Sequence, residues 1–146
     1  MDAANTKKVL VIDDEQAVLD ELCDMLGKNG FEPTSCLSAD EALQAALDDT
    51  FDLIISDINL GIESGLELCQ KIHRFDNCHE TPVIFLSGAQ IPDIIRRSHA
   101  AGGTYYVRKP FDPEVMVELA EKALWMPHVL KAHIQSKTVV GEAAFI

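Results

Sequence analysis

Short apolar runs alternate with longer amphipathic stretches five times between Val9 and about Leu124, and this alternation limits the possible folds more than any other feature. The short runs predict strands and the longer stretches predict helices, an order typical of a parallel sheet covered by helices on both faces. Four of the five runs are rich in β-branched or aromatic residues and lack polar alternation, as expected of strands buried on both sides. The predicted strands are Val9–Ile12, Pro33–Cys36, Leu53–Ser56, Val83–Leu86 and Tyr105–Val107.

Capping residues mark the ends of the predicted helices. Ser38 followed by Glu41 forms a capping box, and Asp112 is a suitable N-cap for the last helix. Pro92 and Pro113 suit first-turn positions of the fourth and fifth helices, where the missing amide costs nothing. The three earlier helices are predicted at Ala17–Lys28, Ala39–Leu47 and Leu66–His73.

Composition narrows the class of protein. The chain has 146 residues, of which 47% are hydrophobic, so it can bury the core of one ordinary domain. Its 24 acidic and 12 basic residues give a net charge of −12, which argues against nucleic-acid or membrane-surface binding by this chain alone. No apolar window approaches the roughly 20 residues that span a bilayer, so we expect a cytoplasmic location.

The last part of the sequence differs from the rest. The periodic pattern supports a domain over residues 7–125, with residues 126–146 as a C-terminal extension. Pro127 interrupts the helical pattern, Val129–Gln135 could form a short helix, and Thr138–Ile146 shows no clear period. The extension is therefore predicted to be a short helix or a linker, and a link to an absent output domain stays open.

Polar residues follow four of the predicted strands. Asp13 and Asp14 follow the first, Asp57 the third, Ser87 the fourth and Lys109 the last. The carboxyl ends of parallel strands share one edge of the sheet, so these side chains should converge. Clustered carboxylates repel one another unless a cation neutralises them, and oxygen ligands without His or Cys favour Mg²⁺. Each of these polar residues or pairs, taken alone, is typical of a turn or a helix cap, and only their combination indicates a site.

Four segments together resemble the receiver domain of two-component response regulators. They are VLVIDDE at 9–15, SDINLGIESGLEL at 56–68, VIFLSG at 83–88 and YYVRKPF at 105–111. The resemblance covers about residues 7–125. It implies an α/β fold with a doubly wound, five-stranded parallel sheet of the flavodoxin-like (βα)5 type and strand order 2-1-3-4-5.

The resemblance also assigns roles. It implies that Asp57 is the phosphoacceptor and that Lys109 pairs with the phosphoryl group. It further implies that Asp13, Asp14 and Asp57 hold Mg²⁺ together with the backbone carbonyl of Asn59. The chemistry fits, because Mg²⁺ commonly joins one or two carboxylates to a phosphate and leaves a carboxylate free to act as nucleophile.

Further positions are implied to form a switch. Ser87 and Tyr106 match the hydroxyl and the aromatic residue that respond to phosphorylation in the family, and Lys109–Pro110 is expected to be a cis peptide. Two positions depart from the usual wording, since Gly61 stands where proline is common and Glu63 where methionine is common. We expect these departures to loosen the loop beside the phosphoacceptor without changing its chemistry.

The implied function is a phosphorylation-controlled signalling switch. A sensor histidine kinase or a histidine phosphotransfer protein would supply the phosphoryl group, and the surface of the fourth helix, fifth strand and fifth helix would bind an unknown downstream protein or form a homodimer. Such a chain is not a turnover enzyme, although it would catalyse its own phosphorylation and dephosphorylation. Two alternatives remain open: an aspartyl-phosphate phosphatase, and a degenerate receiver that acts only as a protein-interaction module.

Overall fold

The computed structural model of the chain describes residues 6–125 and the backbone of residues 143–145. Within these ranges strands and helices alternate, and a short 3₁₀ turn at Asp76–Cys78 precedes the sixth strand. In chain order the elements are β1 (Lys7–Ile12), α1 (Gln16–Lys28), β2 (Phe31–Cys36), α2 (Ala39–Asp48), β3 (Leu53–Asp57), β4 (Asn59–Leu60), β5 (Glu63–Ser64), α3 (Gly65–Ile72), β6 (Val83–Ser87), α4 (Ile94–Ala100), β7 (Tyr105–Arg108), α5 (Pro113–Trp125) and β8 (Ala143–Phe145).

The main sheet has the order β2-β1-β3-β6-β7-β8. Its first five strands are parallel and, numbered among themselves, follow the order 2-1-3-4-5. The predicted doubly wound, flavodoxin-like fold is therefore confirmed. The remaining strand of this sheet, β8, was not predicted, and it runs antiparallel to β7.

Two apolar layers cover the two faces of the sheet. On one face, side chains such as Ile12, Ile54 and Tyr106 pack with α2 and α3. On the other face, side chains such as Val11 and Tyr105 pack with α1 and α5. Successive residues of a strand point to opposite faces, which is why the two adjacent tyrosines lie in different layers.

Helix starts agree with the capping signals except at α4. Ser38 accepts a hydrogen bond from the amide of Glu41, and Asp112 accepts one from the amide at the second residue of α5, which begins at Pro113 as predicted. The prediction for Pro92 was wrong, because α4 begins two residues later, at Ile94. Asp93 lies between them with a left-handed φ of 55°, so the chain turns before the helix starts.

A two-pair antiparallel hairpin, β4 with β5, lies between β3 and α3 and was not predicted. Its turn contains Gly61 at a φ of 68°, a conformation that glycine adopts without steric cost. The prediction of a helix at Val129–Gln135 lies outside the described residues. No helix in the described part of the chain is long and apolar enough to cross a membrane.

Candidate functional site

The carboxyl ends of β1 and β3 bring a group of acids together at one edge of the sheet. Asp13 directly follows β1 and is fully buried, and Asp57 ends β3 and is 5% exposed. With the exposed Asp14 and Glu15 they place four carboxylate oxygens within 4.8 Å of one another. The predicted convergence of acids from β1 and β3 is therefore what the structure has.

Lys109 lies in the middle of these acids. Its ammonium nitrogen is 2.8 Å from Asp13 Oδ2, 2.9 Å from Asp57 Oδ2 and 3.4 Å from Glu15 Oε1. The backbone places it there, because the Lys109 amide donates to the carbonyl of Ser87 and extends the β6–β7 ladder past β7. The Lys109–Pro110 peptide is cis, as expected.

Burial and charge act in opposite directions on two of these groups. Burial raises the pKa of Asp13, and the ammonium group of Lys109, 2.8 Å away, offsets only part of that increase. For Lys109, burial alone would lower the pKa, but the neighbouring carboxylates of Asp13 and Asp57 outweigh it and the pKa is raised. The lysine is thus a fixed positive charge between two carboxylates.

Backbone contacts fix the position of Asp57. The amide of Asn59 donates to Asp57 Oδ1 at 3.0 Å, and the amide of Ile58 donates to Leu86 in β6. α3 begins against the same segment, because the Gly65 amide donates to the Ile58 carbonyl and a Cβ at residue 65 would overlap the carbonyl oxygen of Asp57. One carboxylate oxygen is therefore held by backbone, and the other faces Lys109.

The donor set fits a hard divalent cation. Asp13 Oδ2 is fully buried and, among the described residues, its only close polar partner is the ammonium group of Lys109, with which it makes an ion pair but no well-oriented hydrogen bond. Carboxylate oxygens with solvent access on one side, supplied here by Asp14 and Glu15, are the ligands that Mg²⁺ prefers. Asn59 is exposed beside them, and the role of its carbonyl stays a prediction.

Sequence reasoning missed Glu15. This residue follows the two aspartates directly, and its backbone amide donates to Asp13 Oδ1 at 2.9 Å. That Asx-type turn bends the chain back and brings the Glu15 carboxylate to the pocket. A polar residue at a strand end followed two positions later by another acid was the available signal.

Ser87 and Tyr106, the two predicted switch residues, lie in β6 and β7. Ser87 is fully buried at the end of β6, and its hydroxyl exchanges hydrogen bonds of 3.1 and 3.2 Å with the backbone of Ala89. Tyr106 is 5% exposed and lines one wall of a groove of about 530 Å³. The other lining residues come from the β6–α4 segment, from α4 and from β7: Gln90, Ile91, Pro92, Ile94, Ile95 and Arg108.

An acidic pocket with one lysine lies at the carboxyl edge of a doubly wound sheet, the arrangement expected of a signalling receiver domain. Residues 9–121 match the family model of the response regulator receiver domain, and the chain belongs to this family. Receiver domains are signalling switches rather than turnover enzymes.

Individual relatives agree with the family. The chain is 32% identical over 117 residues to a probable transcriptional regulator, ycf29, of Porphyra purpurea, covering 80% of this chain and 56% of the relative. It is 28% identical over 111 residues to the phosphate regulon transcriptional regulatory protein PhoB of Escherichia coli, covering 76% and 48%. This chain thus spans about half the length of the curated relatives it matches.

The fold has similarly clear matches. The chemotaxis protein CheY4 of Vibrio cholerae superimposes with a TM-score of 0.78 at 28% identity, covering 82% of this chain and 99% of that one. The BeF3-activated DrrB receiver domain superimposes with a TM-score of 0.72 at 26% identity, covering 80% and 96%.

Proposed function

We propose that this chain is the receiver of a two-component phosphorelay in the cytoplasm and that Asp57 accepts its phosphoryl group. One observation carries the proposal: Asp57 Oδ2 lies 2.9 Å from the ammonium group of Lys109, at the mouth of a pocket whose other acids are Asp13, Asp14 and Glu15. A carboxylate held by backbone on one oxygen, with a fixed positive charge at the other, is positioned to act as a nucleophile.

The donor is a phosphohistidine of a sensor histidine kinase or of a histidine phosphotransfer protein. A carboxylate oxygen of Asp57 attacks phosphorus and forms an O–P bond while the P–N bond to the imidazole breaks. The imidazole nitrogen keeps the electron pair of that bond and takes a proton from solvent. Lys109 offsets the negative charge of the phosphoryl oxygens, and its raised pKa keeps it charged throughout. Attack of water on phosphorus later breaks the bond to the Asp57 oxygen, releases inorganic phosphate and returns Asp57 to its carboxylate form.

Mg²⁺ fits the same pocket. Asp13, Asp14 and Asp57 would hold the ion together with the backbone carbonyl of Asn59, and the carboxylate of Glu15 lies beside them. When bound, Mg²⁺ would supply positive charge that offsets the acids and the incoming phosphoryl oxygens. The fully buried Asp13 Oδ2 is the strongest support, because such an oxygen otherwise has only Lys109 to offset its charge.

Ser87 and Tyr106 couple the pocket to the surface. The Ser87 hydroxyl now bonds within its own loop, and rotation toward a phosphoryl oxygen would release Ala89 from both hydrogen bonds. That loop leads into the groove beside Tyr106, so its movement lets the ring move inward and reshapes the groove. The reshaped surface of α4, β7 and α5 binds a downstream protein or a second copy.

A comparison of labelling in two variants tests the proposal. Wild type, Asp57→Asn and the control Asp20→Asn, which alters an exposed acid on α1, are incubated with acetyl phosphate with and without Mg²⁺. We expect wild type and the control to gain one phosphoryl group only with Mg²⁺, and Asp57→Asn to gain none. Equal labelling of all three would overturn the assignment, and continuous release of phosphate from many phosphoesters would favour a phosphatase.

A further inference from the structure

The last strand of the sheet comes from the C-terminal extension. β8 pairs antiparallel with β7, with Phe145 opposite Tyr105, Ala144 opposite Tyr106 and Ala143 opposite Val107. Without this pairing β7 would be the edge strand of the parallel sheet. Residues 143–145 thus occupy the edge of β7, the strand that carries Tyr106.

Without β8, the outer edge of β7 would be open for pairing. Three of its four residues are buried, so the strand is apolar on both faces and its unpaired backbone groups would lie next to apolar surface. Such an edge is a template for pairing with another chain, and natural proteins commonly cover it. Addition of an extended segment to a sheet edge is also a common mode of protein recognition.

We propose that the outer edge of β7 is a strand-addition site that the chain's own residues 143–145 fill, and that this cover keeps a second copy of the chain from pairing at the same edge. The segment acts as an intramolecular competitor. Its removal would leave a strand edge beside the groove lined by Ile91, Ile95 and Tyr106. The proposal does not depend on phosphorylation.

Chain length and direction support pairing within one molecule. α5 returns along the sheet and ends at Trp125, and β8 begins 18 residues later at Ala143, opposite Val107. The intervening segment spans up to about 60 Å when extended, whereas the helix it has to pass is about 20 Å long. A connection of this length gives residues 143–145 an effective concentration of about 1 mM at the β7 edge. Pairing within one chain is therefore favoured over pairing with a second copy at ordinary protein concentrations.

Hydrogen exchange of the β7 amides tests the pairing. Successive amides of a strand point to alternate sides, so at least one amide of Tyr105–Val107 faces β8 and depends on it for protection. Ala144→Pro removes the amide opposite Tyr106 and is incompatible with a paired strand, whereas the control Ala144→Val keeps the amide and favours a strand. Both are compared with wild type over a hundredfold range of protein concentration, with the oligomeric state measured by light scattering.

We expect wild type and Ala144→Val to be monomers whose β7 protection is independent of concentration. Ala144→Pro should exchange at the β7 edge at least tenfold faster at low concentration and should form dimers as concentration rises. Equal protection in Ala144→Pro and wild type would overturn the pairing of β8 with β7. An Ala144→Pro variant that loses protection but stays monomeric would overturn the proposal that β8 excludes a second copy. Protection in wild type that is lost on dilution would place the strand in a second copy instead. The same results are expected in Asp57→Asn, so failure of this inference is separable from failure of the phosphoacceptor assignment.

Discussion

The ammonium nitrogen of Lys109 lies 2.9 Å from Oδ2 of Asp57, although 51 residues separate the two along the chain. The parallel order of β3, β6 and β7 brings these residues to the same edge of the sheet. The contact places a positive charge beside the carboxylate that is proposed to accept a phosphoryl group. The fully buried Asp13 shares the same ammonium group.

Removal of this ammonium group should destabilise the folded chain. Lys109→Met leaves Asp13 buried without its counter-charge, and we expect the free energy of unfolding at neutral pH without Mg²⁺ to fall by about 2–4 kcal/mol. Since burial already raises the pKa of Asp13, acidification should protonate this carboxyl and shrink the loss. Urea unfolding at several pH values measures both effects.

Lys122→Met is the matched control, because Lys122 pairs with Glu118 on the exposed side of α5. Its loss should be below about 0.5 kcal/mol, as is typical of exposed ion pairs. Equal losses in the two variants would mean that the pocket gains no stability from Lys109.

The contact between α3 and Asp57 leaves no room for a side chain at residue 65. In Gly65→Ala the new Cβ would overlap the carbonyl oxygen of Asp57, so β3 and α3 have to separate, and we expect a loss of about 1–3 kcal/mol. Gly27→Ala in α1 meets nothing within 4 Å and should instead gain up to about 1 kcal/mol from helix propensity. Thermal unfolding of both variants checks the signs, and a neutral Gly65→Ala would show that the segment relaxes freely.

Buried thiols should make the protein less stable in alkali. Burial raises the pKa of Cys36 to about 11 and that of Cys69 to about 12, whereas an unfolded thiol ionises near 8.5. Above that pH the unfolded chain has lost protons that the native chain retains, so stability falls with rising pH until the folded pKa is reached. We expect a loss of about 1–2 kcal/mol per thiol by pH 10.

Denaturant titrations from pH 7.5 to 10 measure this slope. Cys36→Ala should be less stable than wild type at pH 7.5 but should show a flatter decline. A slope unchanged by the substitution would mean that other groups set the alkaline limit; Tyr105, whose pKa burial raises to about 12, is the first candidate.

Loss of the Ser87 hydroxyl should leave phosphorylation intact but abolish the conformational change that follows it. Ser87→Ala keeps Asp57, Lys109 and the acids, so we expect the variant to be labelled by acetyl phosphate. The hydroxyl that would reach the phosphoryl group is absent, so hydrogen exchange near Ala89 and Tyr106 should no longer change on labelling. Ser87→Thr keeps the hydroxyl and should behave like wild type; a full response in Ser87→Ala would remove Ser87 from the switch.

Periodicity predicted the parallel sheet well because each of its central strands is apolar on both faces. Val83–Leu86 was predicted and Val83–Ser87 observed; β3 likewise ends one residue later than predicted, and β1 begins two residues earlier. The one weak strand signal, around Pro33, belongs to an edge strand, where a missing amide is tolerated. Strand order came with the family resemblance, since no local pattern records which strands are neighbours.

What the sequence left unpredicted has local or tertiary causes. β4, β5 and β8 have only two or three residues each, too few for any periodicity to stand out. β8 forms because the edge of β7 is available to it, which is a tertiary cause. Glu15 reaches the pocket through a turn set by Asp13, and the start of α4 depends on a left-handed residue at Asp93. In each case the neighbouring backbone decides the outcome.

Locating the phosphoryl group chemically is the most direct test of Asp57 as the phosphoacceptor. Protein labelled with acetyl phosphate and Mg²⁺ is reduced with borohydride, which converts an aspartyl phosphate to homoserine, and is then digested for peptide mass analysis. We expect homoserine at position 57 and unmodified aspartate at positions 13 and 14. Homoserine at position 13 or 14 would contradict the assignment of Asp57 as the phosphoacceptor. So would the absence of homoserine from all three positions in protein that carries phosphate.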